Sequence, residues 1–385
     1  MNRIAFAIPG MFLTAAAMAQ HTVQLQIKAL PEFHPSSSSI YVAGSFNGWN
    51  PQDEGYKFKR DDKGTYYLAL KLDKGSYEYK LTRGGWSKVE CKKAGAGIEN
   101  RLLKVEENTH IKLEIEEWAD RFPAVPKKST ASKNVQVIDT AFLIPQLKRT
   151  RRIWIYLPGC YNSCSKRFPV IYMQDGQNVF DDATSYSGEW GVDEYLDSPG
   201  MSANECIVVA IDNGTSRVNE YSPYDFNLDG LGTLSTSNKG EGNAYVDFIV
   251  RTLKPFIDKN YRTVKNKANT AIAGSSMGGL ISLYAVLKYP RIFGAAGVFS
   301  PAFWVAPAIF DDIKAKGKKV NSKIYFFAGK LEGERMVPDM LKAYEAMSKV
   351  SKSKIRAVIR DDGKHNEATW RKEFPLFYKW INTGN

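Results

Sequence analysis

Residues Ala271–Leu280 read "AIAGSSMGGL", with two adjacent serines among three glycines. The apolar "TAIAG" before the serines has the pattern of a buried strand, and "GGLISLYAVLKYP" after them that of a helix. The G-x-S-x-G spacing selects Gly274-Ser275-Ser276-Met277-Gly278, because the other frame would need glycine where Ala273 and Met277 stand. Ser276 is therefore the candidate nucleophile. A strand–turn–helix elbow would lift its hydroxyl clear of a sheet and set it at a helix N-terminus. There the Met277 N–H and the helix dipole can hold an oxyanion. A Gly/Ser loop without function is the alternative, but it would not need a strand before it and a helix after it.

A serine needs a base. The chain has four histidines, His21, His34, His110 and His365, and three precede the region of the elbow. His365, in "RDDGKHNEATW" between the last expected strand and the last expected helix, is the candidate. The carboxylate orienting it is sought between serine and histidine in chain order. "KIYFFAG" runs into "KLEGER", which offers Glu332 and Glu334; Glu332 is preferred for its place just past the strand. Asp361 and Asp362 are read as capping groups. The second oxyanion donor is expected from "YMQDGQNVF", through the N–H of Gly176 or Gln177, with Asp175 at the same loop. Trp190 and Trp304 fall near these loops as walls of an aromatic acyl pocket, with core packing the alternative for each.

From Asn134 onward, apolar runs such as "RIWIYLP", "CIVVAID", "FGAAGVFS" and "KIRAVIRDD" alternate with helical stretches. That alternation predicts a mostly parallel sheet flanked by helices. Each polar motif falls at the carboxyl end of a strand, where ligands bind on such sheets. The chain before it differs. Between residues 20 and 120, short alternating runs ("TVQLQIKAL", "SIYVAGSF", "GTYYLALKL", "GSYEYKLTR", "HIKLEIEEW") are separated by turn chemistry such as "RDDKG". An all-β, immunoglobulin-like sandwich of about one hundred residues is expected. "RFPAVPKKSTASK", residues 121–133, reads as a linker.

Residues 1–19 carry Arg3, an apolar stretch and a small-x-small Ala17-Met18-Ala19, the pattern of a signal peptide cleaved after Ala19. A secreted or periplasmic protein without a membrane span is expected. Of Cys91, Cys160, Cys164 and Cys206, the middle two flank a turn-like "YNS" at a spacing that permits local pairing. No histidine lies near them, so no zinc site is expected. The formal net charge of +12 comes from lysine-rich surface stretches. It reads first as solvated helix faces and loops; a basic surface also suits acidic polysaccharide, and no nucleic-acid motif is present.

"YMQDGQNVFD", "EWGVDEYLD", "IDNGTSRVNEYSP", "AGSSMGGLISLYAVLKYPRIFGAAGVFSPAFW", "FAGKLEGE" and "GKHNEATW" together resemble the putative-esterase (esterase D-like) family of α/β hydrolases. This family includes enterochelin esterases and the acetylxylan and feruloyl esterases of carbohydrate esterase family one. The resemblance spans residues 134–385. It implies an α/β-hydrolase domain with Ser276 as nucleophile, His365 as base and Glu332 as acid, with no cofactor and no metal. Its Arg-x-x-Glu-Tyr run is matched by Arg217, Glu220 and Tyr221, as pocket border or structural ion pair. "IYVAGSFNGWNP" and "GTYYLALKLDKGSYEYKL" are similar to glycogen- and starch-binding β-sandwiches, which makes Trp49 and Trp86 candidate sugar contacts. The implied activity is acyl removal from an acylated carbohydrate. A siderophore trilactone or other small ester is the second reading, and an inactive glycan-binding protein the third. Oligomeric state is left open.

Overall fold

The computed structural model describes residues 20–122, 127–186, 188–200, 205–226 and 238–383. The expected signal peptide and part of the expected linker lie outside them. The described residues form two compact units, one ending at Phe122 and the other holding the remainder.

In the first unit, strands Tyr66–Leu72, His21–Ala29 and Thr109–Glu114 lie side by side, with the short Lys59–Arg60 at the outer edge. Strands Tyr41–Gly44, Gly75–Thr82 and Arg101–Val105 make a second sheet, and Glu90–Cys91 pairs with Glu117–Trp118. Along Tyr66–Leu72 burial alternates residue by residue, as a period of two demands of a half-buried strand. The inward residues of both larger sheets, among them Val23, Leu25, Leu68, Leu70, Val42, Leu81 and Leu103, close on one apolar core.

The second unit is built on an eight-stranded sheet: β1 (Val135–Ile144), β2 (Arg149–Tyr156), β3 (Val170–Gln174), β4 (Ile207–Ile211), β5 (Thr270–Ser275), β6 (Ala295–Phe299), β7 (Lys323–Gly329) and β8 (Lys354–Arg360). The order is β1-β2-β4-β3-β5-β6-β7-β8. The first two strands pair antiparallel with each other and β2 antiparallel with β4; every later pairing is parallel. Strands β3 to β6 are buried along their whole length, which is why their sequences are continuous apolar runs.

The helices among the described residues of this unit are α1 (Val192–Leu196), α2 (Arg217–Tyr221), α3 (Gly242–Phe248), α4 (Lys254–Asn260), α5 (Met277–Lys288), α6 (Ile309–Lys316), α7 (Met336–Val350) and α8 (Glu367–Asn382). A π turn over Ile249–Leu253 joins α3 to α4, so the two run on as one helix that is locally widened. Met277 through Leu287 are all buried, so α5 is apolar all round rather than amphipathic. That fixes the helix leaving the elbow in the core of this unit. The core splits by face of the sheet, Ile272, Leu280 and Val298 on one side and Ala273, Phe299 and Phe377 on the other.

The second half of the expected linker is fastened rather than free. Ser129 Oγ donates to Asp181 (2.9 Å), Thr130 Oγ1 to Glu189 (2.9 Å) and Ser132 N to Asp193 (2.7 Å).

Candidate active site

Ser276 sits between β5 and α5 at φ 58°, ψ −121°, a conformation that non-glycine residues adopt only under constraint. The glycines make that turn feasible. A Cβ on Gly274 would lie 2.9 Å from the backbone of Gly278, and one on Gly279 2.7 Å from the Phe299 carbonyl. The turn is tied down from both sides. Ser276 N donates to Phe299 O (2.9 Å), and Ser276 O accepts from Gly279, Leu280 and Ala302 N–H at 3.0–3.1 Å. Met277 N–H opens α5 and meets no acceptor among the described residues.

His365 precedes α8, whose N-terminus is capped by Asn366 through Thr369 N–H (3.0 Å). Its Nδ1 is 2.7 Å from Glu332 Oε2. An ionised carboxylate only accepts, so Nδ1 is the donor of this bond. The other oxygen of Glu332 accepts from Gly329 N–H (2.6 Å) and Ser300 Oγ (2.8 Å). The Ser300 hydroxyl in turn accepts from Trp370 Nε1 (2.9 Å), and the Trp370 ring meets His365 edge-on at 5.2 Å. The Glu332 side chain is wholly buried, whereas Glu334 is exposed, as are Asp361 and Asp362, with Asp361 paired to Lys330. Of the two glutamates, Glu332 is the one brought to the histidine. The end of β6 links elbow and acid, since Phe299 holds Ser276 N–H and the next residue, Ser300, holds Glu332.

The loop after β3 is shaped by equally definite contacts. Asp175 takes a left-handed conformation (φ 56°). A Cβ on Gly176 would come within 2.9 Å of the β4 backbone at Ala210–Asp212, so only glycine lets the loop lie so close. Asp175 accepts two parallel bonds from Arg217 (2.7 and 2.8 Å) and one from Asn213 Nδ2 (2.6 Å), while its own N–H donates to the Tyr221 hydroxyl (3.3 Å). Such a fork between guanidinium and carboxylate is rigid as well as strong. Burial works against the Arg217 charge, but Asp175 outweighs it and holds the guanidinium pKa above its ordinary range. Gln177 accepts Asn213 N–H (3.1 Å) through its side-chain oxygen. The N–H groups of Gly176 and Gln177 meet no acceptor among the described residues.

The charged residues of the Arg217–Glu220–Tyr221 run form ion pairs with other segments. Arg217 goes to Asp175, and Glu220, fully buried, pairs with Arg149 (2.7 Å) and Arg151 from β2. Trp190 is a correction to the expected pocket wall. At 3% exposure it stacks on Trp370 (5.7 Å) and meets Phe299 edge-on, inside the core. Trp304 is half-buried against the core on the other face of the sheet. In the first unit, Trp49 (φ 61°) and Trp86 bring their rings to 6.2 Å, and Trp86 is 42% exposed.

Sequence reasoning passed over Asn178, Glu367 and Ser300. Asn178 Nδ2 donates to Glu367 Oε1 (2.9 Å), which ties the β3 loop to the helix that follows His365. Burial pushes the Glu367 carboxyl pKa up and the Asp175 charge adds to it, while His365 and Arg217 pull it back. The glutamate two residues past the histidine was the available signal. Among the described residues, no group of three or more His, Cys, Asp or Glu has metal-binding geometry. No helix there is long and apolar enough to cross a membrane.

A mixed eight-stranded sheet with a serine on a strained elbow, and a histidine–carboxylate pair after its last strands, defines an α/β-hydrolase-like enzyme. More narrowly, the chain belongs to the family described as "Putative esterase", which matches residues 144–380, and it is a carboxylic ester hydrolase. It is 26% identical over 242 residues to the uncharacterized protein YbbA of Bacillus subtilis, covering 60% of this chain and 92% of that one. It is 27% identical over 224 residues to an endo-1,4-beta-xylanase/feruloyl esterase of Xylanibacter ruminicola, covering 57% of this chain but 27% of that longer protein. Among solved structures, the enterochelin esterase of Shigella flexneri aligns over 96% of both chains, with a TM-score of 0.50 and 16% identity. That likeness is one of fold.

Proposed function

We propose that the chain is an exported serine esterase that removes acetyl or feruloyl groups from plant-type polysaccharide or oligosaccharide. The observation carrying this reading is the 2.7 Å contact between His365 Nδ1 and the buried Glu332, joined through Ser300 and Phe299 to the Ser276 elbow. Ser276 Oγ attacks the ester carbonyl while His365 Nε2 takes its proton and Glu332 fixes the ring. The N–H groups of Met277 and of Gly176 or Gln177 stabilise the tetrahedral oxyanion. His365 then protonates the departing sugar hydroxyl, and water clears the acyl-enzyme by the same route. Arg217 and Tyr221 act by holding Asp175 and its loop, and Glu220 by bracing α2 against β2. Trp304 remains the candidate for the acyl-binding wall.

The feruloyl part draws support from the Xylanibacter relative, whose name includes that activity. We read residues 20–120 as an immunoglobulin-like module with Trp49 and Trp86 as candidate sugar-stacking residues, residues 1–19 as a removed signal peptide, and 134–385 as the catalytic domain. The deciding experiment compares hydrolysis of nitrophenyl acetate, a feruloyl ester and a catecholate trilactone by the native protein and by Ser276→Ala. The native protein is expected to cleave acetyl or feruloyl ester in preference to trilactone. The variant is expected to lose roughly a thousandfold or more. Retained activity in Ser276→Ala would remove the serine mechanism, and preference for the trilactone would replace the carbohydrate substrate with a siderophore.

A further inference from the structure

Cys160 and Cys164 lie in the loop between β2 and β3, at the end of the sheet opposite the candidate active site. The backbone closes a single α-turn there, Cys164 N–H and Ser163 N–H both donating to Cys160 O at 2.9 Å. One such turn sets the two Cα atoms about 6 Å apart, inside the range a disulfide spans. The thiols already meet, with Sγ to Sγ at 2.7 Å. The turn is held in place by Tyr161, whose ring packs on Phe168 (5.7 Å) and lies 3.8 Å beneath the Arg262 guanidinium. Arg262 N–H donates to the Tyr161 hydroxyl (3.0 Å), and its guanidinium to the Tyr161 carbonyl. Beside the pair stands Glu205, which accepts from Cys160 Sγ (3.3 Å) and lies 3.7 Å from Lys166 Nζ.

We propose that Cys160 and Cys164 are a redox-active pair that closes to an intrachain disulfide, with Cys164 attacking the oxidant and Glu205 taking the proton of Cys160. The oxidant is a low-molecular-weight disulfide. The Cys164 thiolate attacks it, forming a mixed disulfide and releasing one thiolate. Cys160 passes its proton to Glu205 and attacks the Cys164 sulfur, releasing the second thiolate. Two protein thiols are oxidised by two electrons, and one disulfide is reduced to two thiols. The division of labour follows from the surroundings. The hydrogen bond shared with Cys160, the Lys166 backbone N–H and the charges of Arg262 and Lys166 draw the Cys164 thiol below its usual range. Cys160 is pushed up to about 12, first by that same hydrogen bond, then by burial and Glu205. A low thiol pKa in a half-open, basic setting is what makes a cysteine the attacking partner. Cys91 and Cys206 are buried and act as internal controls.

The test treats the full native chain with oxidised glutathione, alkylates the remaining thiols and digests with trypsin. The peptide running from residue 153 to 166 should lack alkylation and weigh two hydrogens less. Cys160→Ser should stop with glutathione on Cys164. Cys164→Ser should react roughly tenfold or more slowly, and Glu205→Gln should accumulate the mixed disulfide. Both cysteine variants should keep the native rate on nitrophenyl acetate, so the outcome is independent of the esterase mechanism. A native peptide still alkylated at both cysteines, or ending as a stable glutathione adduct, would overturn the proposal. Equal glutathione uptake by the two variants would overturn the assigned order of attack.

Discussion

Glu332 is surrounded by three groups, the His365 ring, the Ser300 hydroxyl and the Gly329 N–H, each at 2.6–2.8 Å. Glu332→Gln keeps the volume but presents an amide that can donate to Nδ1, which favours the wrong tautomer. The expected loss in kcat is about 10²–10⁴-fold, with thermal stability little changed, read by ester hydrolysis beside a melting curve. Glu334→Gln is the matched control and should keep the native rate, because its side chain is exposed. A second residue-scale prediction concerns Glu367. To the extent that it is ionised it favours the imidazolium of His365, so Glu367→Gln should move the acid limb of the kcat/KM profile to lower pH. A profile unmoved, with only KM changed, would assign Glu367 to loop support through Asn178 alone. The candidates Ser276, His365 and Glu332 could be named from the chain because the elbow carries its own spacing and histidines are few, and the His365–Glu332 contact agrees with that choice. Ser300 and Asn178 were not, since a serine after a strand and an asparagine in a loop carry no local pattern. Their partners come from 32 and 189 residues away.

At the scale of elements, the glycines around the elbow set how closely β5, α5 and β6 approach one another. Gly279→Ala would press a methyl group against the Phe299 carbonyl, at a cost of about 1–3 kcal/mol by overpacking, measurable by urea unfolding. The segment 129–132 depends on a different device. It is fastened to Asp181, Glu189 and Asp193, beside Glu194, which an arginine of α8, Arg371, shares with Glu189 (3.4 Å to each). Burial, reinforced by the Glu194 charge, raises the Asp193 carboxyl pKa to about 8 and that of Glu189 to about 7. A carboxyl whose pKa is raised by folding binds its proton more tightly in the native state. Its stabilising contribution is complete below the unfolded value near 4 and is lost as the pH rises through 7–8. The melting temperature should therefore fall between about pH 5 and pH 9, and Asp193→Asn should flatten that fall. An equal fall in the variant would place the sensitivity elsewhere. The buried strands were readable as apolar runs, α7 and α8 as helical stretches, and α5 from its place after the elbow. The five-residue helices α1 and α2 span too few turns to show a period, and the first unit's Arg101–Val105 was passed over behind its charged start.

For the whole molecule, the two units carry separable expectations. If Trp49 and Trp86 hold glycan, Trp86→Ala should abolish retention on insoluble starch or xylan while leaving nitrophenyl acetate hydrolysis at the native rate. Equal retention by the variant would make the pair a packing feature of its own unit. The excess of basic residues gives a further expectation: any retention on acidic polysaccharide that rests on net charge should fade as salt rises, whereas stacking on tryptophan should persist. The division into an alternating, turn-rich first part and a strand–helix second part was legible because the two obey different hydrophobic periods. The fastening of residues 129–132 was not, because short polar side chains look the same whether they face water or a buried carboxylate.

The end of β6 serves the proposed nucleophile and the proposed acid together: Phe299 restrains Ser276, and Ser300 restrains Glu332. On warming, loss of the β6 end is therefore expected to release Ser276 and Glu332 together. Inactivation is then a switch rather than a slope, with surviving molecules keeping full turnover while their number declines, and active-site titration at each temperature would count them.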